Sequence, residues 1–408
     1  MNLFDINVLL MAVGGTLLFL ELTAGYLKYY LYISEPIITT FIGILIGPYL
    51  LNLVDLQDFQ YHTIFIEEIA RLTLAVTLMG VAFRLPRTFV FENWKDLIVL
   101  ICIVLPLMFI ISGFLIYIII GLPLLISLLI GAIVSPTDPV LASAIVTSEI
   151  AQKYIPERLR NIISSESALN DALAFPFVMI PLLLLSFSPI KTIEHMTVDV
   201  LLSGTVGAAI AGIILGYTSA KTLLWIVKKA DIETPSLLST TLALSFASLG
   251  AVKLIGSEGL LAVFVSGVTF NFLIRREAEE KAEKIQEVIK RFIDLPIFIF
   301  FGMILPWNKW FQLGLPGIIL VICILLLRRL PSVLIFSRMI VTIENTKDAL
   351  FAGWFGPIGV AALYYSTFAF RQTGYESIWV ISSLIIFSSI IVHGITDSPF
   401  TKLYAKAK

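Results

Sequence analysis

The feature that most constrains this chain is a succession of apolar segments of the length that crosses a lipid bilayer as a helix. A helix needs about 20 residues to span the hydrocarbon core, and thirteen such segments follow one another through the 408 residues. Charged residues make up 14% of the chain, whereas a typical soluble domain carries about 25%. The sequence therefore predicts an all-α polytopic membrane protein and excludes a water-soluble fold around one core.

The predicted spans cover most of the chain. The first is short, and the tenth begins in charged sequence. We predict spans at residues 6–20, 36–54, 64–83, 96–120, 122–147, 162–186, 198–229, 235–255, 258–274, 283–307, 314–340, 346–370 and 376–395.

The distribution of Lys and Arg predicts the orientation of these spans. Counted with the span ends that adjoin them, loops after odd-numbered spans carry 21 of the 28 basic residues, and loops after even-numbered spans carry 4. Basic residues accumulate on the cytoplasmic side of membrane proteins. We therefore expect the N-terminus outside and the C-terminus in the cytoplasm, and one span more or fewer would remove the asymmetry.

A proline-rich segment interrupts the fifth predicted span, in the stretch GAIVSPTDPVLAS. Pro136 and Pro139 have no amide hydrogen, so the carbonyls of Ala132 and Ser135, four residues earlier, lose their helical donors. Broken helices at membrane depth occur where they line a cavity or are buried in protein. Free carbonyls beside Asp138 make an all-oxygen setting that suits a hard cation. The alternative is a proline kink in which Asp138 caps the half-helix that follows.

Four polar side chains occupy the first half of the sixth predicted span, in the stretch SSESALNDALAF. Glu166 and Asn170 are four residues apart, as are Ser167 and Asp171, so a helix places them on one stripe. Charged side chains at membrane depth are expensive and usually functional. The pattern indicates half of a binding site, and the alternative is a polar contact that joins two spans.

Two adjacent arginines, Arg328 and Arg329, lie in the middle of the eleventh predicted span. A guanidinium group does not lose its charge in proteins, so we expect at least one of them to pair with a buried acid. Glu166 is the natural candidate for that acid. The alternative is an arginine that extends along the span to the membrane interface.

A second interruption falls in the twelfth predicted span, in the stretch GWFGPIGVAAL. Gly356, Pro357 and Gly359 make a continuous helix improbable, and the alternative is an ordinary kink. Seven spans separate this break from the first, so the two broken spans run in opposite directions. Paired broken helices of opposite orientation are typical of transporters built from inverted repeats, with a site at the membrane midplane.

Taken together, these motifs resemble those of a known transporter family. SPTDPV followed by SESALNDALAF resembles the NhaP-type monovalent cation:proton antiporters, relatives of the eukaryotic NHE exchangers, and FIGILIGP, RLPSV and GWFGPIGVAAL match in order and spacing. The resemblance implies an NhaA/NhaP-like fold with two crossing broken helices, in a homodimer without a cofactor. Within one integral membrane transporter, residues 1–408, it implies a six-helix transport domain at 96–186 and 314–395 and a dimerisation domain at 6–83 and 198–307.

The resemblance also implies roles for individual residues. Asn170 would brace the crossing, and Arg329 would pair with Glu166. We choose Arg329 over Arg328 because the family arginine is followed by two residues and then by a small residue and Val, here Ser332 and Val333. The implied cation ligands are Asp138, Asp171, Ser167 and the Thr137 main chain, with Glu166 contributing directly or through water.

One position departs from the family pattern. The twelfth-span motif often has a basic residue where this chain has Ile358. We expect the departure to alter gating or ion preference.

The expected activity is secondary active exchange of a monovalent cation for a proton. Desolvation disfavours a charged carboxylate, so a buried Asp binds either a proton or a cation, and the two compete. We expect Na⁺, with Li⁺ and K⁺ as further possibilities, and 1:1 electroneutral exchange, since Asn170 precedes Asp171 where a second acid would add a charge. We expect the cell membrane of a prokaryote as the site and pH homeostasis as the role.

Other classes of membrane protein share parts of this pattern. A potassium-selective exchanger and a sodium-coupled solute symporter would use a similar scaffold, and an ion channel would conduct without proton coupling. An intramembrane aspartic protease also needs two aspartates that share a proton, but places them in Tyr-Asp and Gly-x-Gly-Asp contexts that are absent around Asp138 and Asp171. We expect neither enzymatic activity nor nucleic-acid binding, and protons, monovalent cations and the lipid bilayer as partners.

Overall fold

The computed structural model describes most of the chain and forms helices and connecting segments, with no strand in the part described. Because helices pair their own backbone groups, this architecture suits the apolar interior of a bilayer. The start of the tenth predicted span lies outside the described residues. The described ranges are 3–26, 33–54, 59–230, 236–274 and 292–406.

The helices are numbered here in chain order over the described residues. The first nine are α1 (Leu3–Tyr26), α2 (Glu35–Ile46), α3 (Phe59–Arg84), α4 (Phe89–Glu92), α5 (Trp94–Ile120), α6 (Leu124–Ile133), α7 (Pro139–Val146), α8 (Glu149–Tyr154) and α9 (Glu157–Ser186). The others are α10 (Pro189–Lys229), α11 (Leu237–Leu254), α12 (Gly259–Leu273), α13 (Phe292–Met303), α14 (Trp307–Leu327), α15 (Leu330–Phe336), α16 (Thr346–Trp354), α17 (Val360–Thr373) and α18 (Glu376–Lys406).

The helices follow the predicted spans closely. Each predicted span contains a described helix or two consecutive shorter ones. By length and composition, six helical segments of the described chain qualify as membrane spans: α5, α9, α10, α11, α18 and the segment Trp307–Met339. The all-helical polytopic architecture predicted from the sequence is therefore confirmed.

Two predicted spans differ from the structure in detail. The seventh begins earlier than expected, because α10 extends back to Pro189 through a π-helical segment at Met196–Gly207. The eleventh also begins earlier, because α14 starts at Trp307 and continues across a kink at Gly314. Gly314 has a φ of 55°, a left-handed conformation that glycine adopts readily. A second irregularity separates α14 from α15 at Arg328 and Arg329, so both arginines stand at the end of a helix.

The two predicted breaks are present. The fifth span divides into α6 and α7, and the twelfth divides into α16 and α17. Pro136 and Pro139 remove two backbone donors from the first gap. Gly356, Pro357 and Gly359 interrupt the second. Each broken span therefore presents two helix ends in the interior of the protein.

The packing of the helices surrounds both breaks with protein. Helix α9, which carries the polar stripe, packs against α6, α7 and α12. Helix α17 packs against α3 and α18, and α12 also packs against α3, α10 and α11. The breaks and the polar stripe are thus enclosed by helices, as irregular backbone at membrane depth requires.

Helices α2 and α13 approach each other closely through two glycines. A Cβ atom on Gly43 would lie 2.0 Å from the Ile299 carbonyl oxygen, and one on Gly302 would lie 2.1 Å from the Thr40 carbonyl oxygen. Small residues allow such close backbone approach between membrane helices. Any side chain larger than hydrogen would force the two helices apart.

Gly43→Ala should therefore destabilise the protein, by about 1–3 kcal/mol as for other overpacked sites. The control is Gly250→Ala in α11, where an added Cβ would meet nothing within 4 Å and where Ala is the better helix former. Thermal unfolding of the purified protein in detergent measures both. Equal melting temperatures for the two variants would contradict the close packing.

Candidate functional site

Asp138 joins the second halves of both broken helices. Its Oδ1 accepts hydrogen bonds from the backbone N–H of Val140 at 2.6 Å and of Leu141 at 3.3 Å, at the start of α7. Its Oδ2 accepts one from the N–H of Val360, the first residue of α17. The carboxylate is 1% exposed. One buried negative charge therefore caps two helix N-termini, where the helix dipole favours an anion.

The glycine before α17 allows this contact. A Cβ atom on Gly359 would lie 2.0 Å from Oδ2 of Asp138. No residue with a side chain fits at this position while the carboxylate caps both helices.

Arg328 joins the opposite ends of the same breaks. Its Nη1 donates to the carbonyl oxygens of Ser135 at 2.9 Å and Pro136 at 3.2 Å, just after α6. Its Nη2 donates to the carbonyl oxygen of Gly356, just after α16. The residue is 2% exposed. A buried cation thus stabilises the negative ends of both first halves.

The expectation of free carbonyls beside Asp138 is wrong. The Ser135 carbonyl accepts from Arg328, and the Ala132 carbonyl accepts from the Ser135 hydroxyl at 2.8 Å. Buried carbonyls need partners, and the sequence alone does not reveal that a distant arginine supplies them. The capping role of Asp138, the alternative in the sequence analysis, is present.

Further hydrogen bonds hold together the crossing, where the break between α6 and α7 meets the break between α16 and α17. The N–H of Asp138 donates to the Pro357 carbonyl at 2.8 Å, which links the two breaks directly. The N–H of Ile358 donates to the Ser389 hydroxyl at 2.7 Å. His393 Nε2 lies 3.1 Å from the Trp354 carbonyl oxygen. Helix α18, which carries Ser389 and His393, therefore fixes the second break from the side.

Glu166 and Arg329 form a buried ion pair. Arg329 Nη1 lies 2.6 Å from Oε1 and Nη2 lies 3.0 Å from Oε2, so the contact is bidentate. Arg329 Nε also donates to the Ala352 carbonyl at 3.0 Å. This is the pairing that the family resemblance implies, and it connects α9 to the end of α16.

Asn170 connects the polar stripe to the first break. Its side-chain carbonyl accepts from the Thr137 N–H at 3.0 Å, and its amide donates to Thr137 Oγ1 at 2.8 Å and to Glu166 Oε1 at 2.9 Å. The hydroxyls of Ser167 and Thr137 are 3.0 Å apart. Thr137, Ser167, Asn170 and Glu166 are thus brought together in one network.

Asp171 differs from these neighbours because its carboxylate has no hydrogen-bond partner. Both oxygens are buried and unpaired, and the residue is 0% exposed. The hydroxyl of Tyr365 donates to the Asp171 main-chain carbonyl at 3.3 Å, not to the carboxylate. A buried carboxylate without partners is strongly disfavoured unless it binds a proton or a cation.

The structure brings the predicted site residues together where the two broken spans cross. The described residues contain no cluster of three His, Cys, Asp or Glu side chains able to hold a metal ion. Sequence reasoning missed the contributions of Arg328, Ser389, His393 and Tyr365. For Arg328 the signal was present, since two tandem arginines stand in mid-span. The others look like ordinary span residues in the sequence.

The fold and this arrangement define a class: polytopic membrane proteins with two broken helices that cross beside buried acids. A family model described as sodium/hydrogen exchanger, transmembrane, matches residues 14–403. The chain belongs to this family. The described structure superposes on the sodium proton antiporter MjNhaP1 from Methanocaldococcus jannaschii, solved at pH 8, with a TM-score of 0.74 and 19% identity, covering 98% of this chain and 99% of that one.

Among curated relatives, the Na(+)/H(+) antiporter of Schizosaccharomyces pombe is 30% identical over 423 residues, covering 97% of this chain and 90% of the relative. The Na(+)/H(+) antiporter of Saccharomyces cerevisiae is 31% identical over 407 residues, covering 92% of this chain and 41% of the relative. The chain thus spans less than half of the latter protein. That these relatives are yeast proteins speaks against the expected prokaryotic source.

The Glu166–Arg329 pair generates a test. Glu166→Gln and Arg329→Gln each leave a buried charge without its partner, which should destabilise the protein by about 3–5 kcal/mol. The double variant should lose clearly less than the sum of the single losses, because the interaction is removed only once. Thermal or denaturant unfolding in detergent measures all three variants.

The control for this cycle is the ion pair of Lys309 and Glu376, whose side chains are 47% and 61% exposed. Exposed pairs contribute about 0.2–1 kcal/mol, so the corresponding Gln variants should show little coupling. Additive losses for Glu166 and Arg329 would show that the two charges do not depend on each other.

Proposed function

We propose that the protein exchanges a monovalent cation for a proton across a membrane, with Asp171 as the group that carries either one. The observation that carries this proposal is the buried Asp171 carboxylate, whose two oxygens lack partners while the surrounding polar groups are bonded. Membership of the sodium/hydrogen exchanger family supports the same activity.

The mechanism follows from competition for one carboxylate. Desolvation makes the empty, charged form of Asp171 unfavourable, so the form that crosses between the two faces holds a proton or a cation. Binding of one excludes the other, and return of the alternative ligand completes the exchange. No covalent step is required. Alternating access then couples the two gradients, because the unloaded site is too unfavourable to move.

The proposed cation ligands come from α9 and from the break in the fifth span. Ser167 lies one turn earlier on α9, and its hydroxyl contacts that of Thr137. We place the cation between the Asp171 carboxylate, the Ser167 hydroxyl and the Thr137 main chain, an oxygen set that suits Na⁺, Li⁺ or K⁺. Asp138 contributes its negative charge while it caps α7 and α17, and Glu166 contributes directly or through water.

The proposed moving part contains both broken spans. Residues 96–186 and 314–395 would form the transport domain, which shifts against a scaffold of residues 6–83 and 198–307 that also forms the homodimer contact. The N-terminus would lie outside and the C-terminus in the cytoplasm, in accord with the Lys and Arg distribution. The crossing is bonded as one unit by Asp138 and Arg328, which suits movement as a rigid body.

Asp171→Asn should abolish exchange, because the amide cannot bind a proton and supplies no negative charge to a cation. The control is Asp199→Asn, since Asp199 has a 63% exposed side chain and lies outside the proposed site. The assay places the purified protein in vesicles, imposes a pH gradient and follows its dissipation by Na⁺, Li⁺ and K⁺ in turn. Exchange that persists in Asp171→Asn would refute the carrier assignment.

We further expect electroneutral exchange, one cation for one proton. Glu166 is paired with Arg329, Asp138 is bound to two helix N-termini, and residue 170 is a neutral Asn. Asp171 is then the acid that exchanges its ligand. Transport should therefore neither generate a membrane potential in vesicles nor change rate when a potassium diffusion potential is imposed. A current or a voltage-dependent rate would contradict this stoichiometry.

A further inference from the structure

A second buried carboxylate shares the property that singles out Asp171. Among described residues, the buried carboxylate oxygens without a hydrogen-bond partner belong to Asp171 and Glu258. Glu258 is 3% exposed and stands immediately before α12. Its Oε1 has no partner, and its Oε2 lies 3.5 Å from Nζ of Lys253, a side chain that is 45% exposed.

The usual structural role for an acid at this position is absent. A residue just before a helix normally accepts hydrogen bonds from the first helical N–H groups. Glu258 makes no such side-chain cap bond. Its carboxylate is therefore held in the protein interior without capping α12, and the exposed Lys253 supplies a single long contact.

The position of Glu258 relates it to the site at Asp171. Helix α12 begins directly after Glu258 and packs against α3, which also packs against α17 with its buried Tyr364 and Tyr365. The Tyr365 hydroxyl donates to the main-chain carbonyl of Asp171. In addition, α12 packs against α9, the helix that carries Asp171. Glu258 thus stands at the start of a helix that contacts the helix of the exchange carboxylate.

The two acids of α3, the helix that packs against both α12 and α17, are occupied. Glu67 forms two 2.8 Å contacts with Arg371, and Glu68 pairs with Arg71 on its own helix. Glu258 differs from these two acids because it has an unused acceptor oxygen. A carboxylate oxygen is a ligand for a hard cation, and in the exchange proposed above that cation is monovalent.

We propose that Glu258 is a second cation site, a position that a monovalent cation occupies on its way between the outer surface and Asp171. The proposal rests on the exchange function proposed above, and on the orientation that places the loop before α12 outside. Loss of the site would weaken cation capture without removing the carrier. It would therefore raise the KM for the cation and leave the maximal rate largely unchanged.

The test compares vesicles containing wild-type protein, Glu258→Gln, Glu258→Asp and Glu68→Gln, with Na⁺ or Li⁺ added at increasing concentration. Glu258→Gln should raise the KM for the cation about tenfold, whereas the KM of Glu258→Asp should stay nearer the wild-type value. A raised KM with an unchanged maximal rate indicates that a binding contact has been lost. Glu68→Gln removes an acid from the same region whose side chain is 45% exposed, and its KM should not change.

Lys253→Gln gives an independent test with the opposite sign. Removing the cation beside Glu258 should strengthen cation binding and lower KM, and this exposed position should tolerate the change. An unchanged KM in folded Glu258→Gln, or a loss of maximal rate without a KM shift, would overturn the proposal, as would a raised KM in Lys253→Gln. Asp171→Asn separates the two hypotheses, since exchange that survives it would refute the carrier and not the capture site.

Discussion

The structure depends on how the backbone N–H and carbonyl groups at the ends of two broken helices find hydrogen-bond partners inside a membrane protein. Each break exposes backbone donors at one end and acceptors at the other, which water would bind in a soluble protein. Asp138 takes the N–H groups of α7 and α17, and Arg328 takes carbonyls that follow α6 and α16. Two opposite charges thereby satisfy four helix ends, and each charge is stabilised by the helix dipoles that it faces.

This arrangement explains why Asp171 stands apart chemically. Glu166 is neutralised by a bidentate arginine, and Asn170 uses its amide to hold Thr137 against the polar stripe. With these groups bonded, the unpaired charge of the crossing is concentrated on one carboxylate. In the proposed exchange, this site would change its ligand without rebuilding its surroundings, because the groups that hold the helices in place are not the group proposed to exchange.

The parts that were predictable from sequence rest on local rules. Proline without an amide hydrogen and glycine clusters located both breaks, and four-residue spacing placed Glu166, Ser167, Asn170 and Asp171 on one helix face. The partner of Glu166 came from the family resemblance, since periodicity does not distinguish Arg328 from Arg329. The expectation of free carbonyls failed because their donor, Arg328, is almost 200 residues away in the chain.

The sequence by itself determined the helical membrane setting, the order of the helices, the position of the breaks and the residue types of the site. Each of these follows from apolar length, backbone chemistry or spacing within one segment. Tertiary structure alone decided which polar groups are paired and which are not. In the sequence, Asp171 and Glu258 resemble many acids that have only a structural role. Their unpaired oxygens become evident only when all distant partners are in place, because a hydrogen bond depends on distance in space and not on separation along the chain.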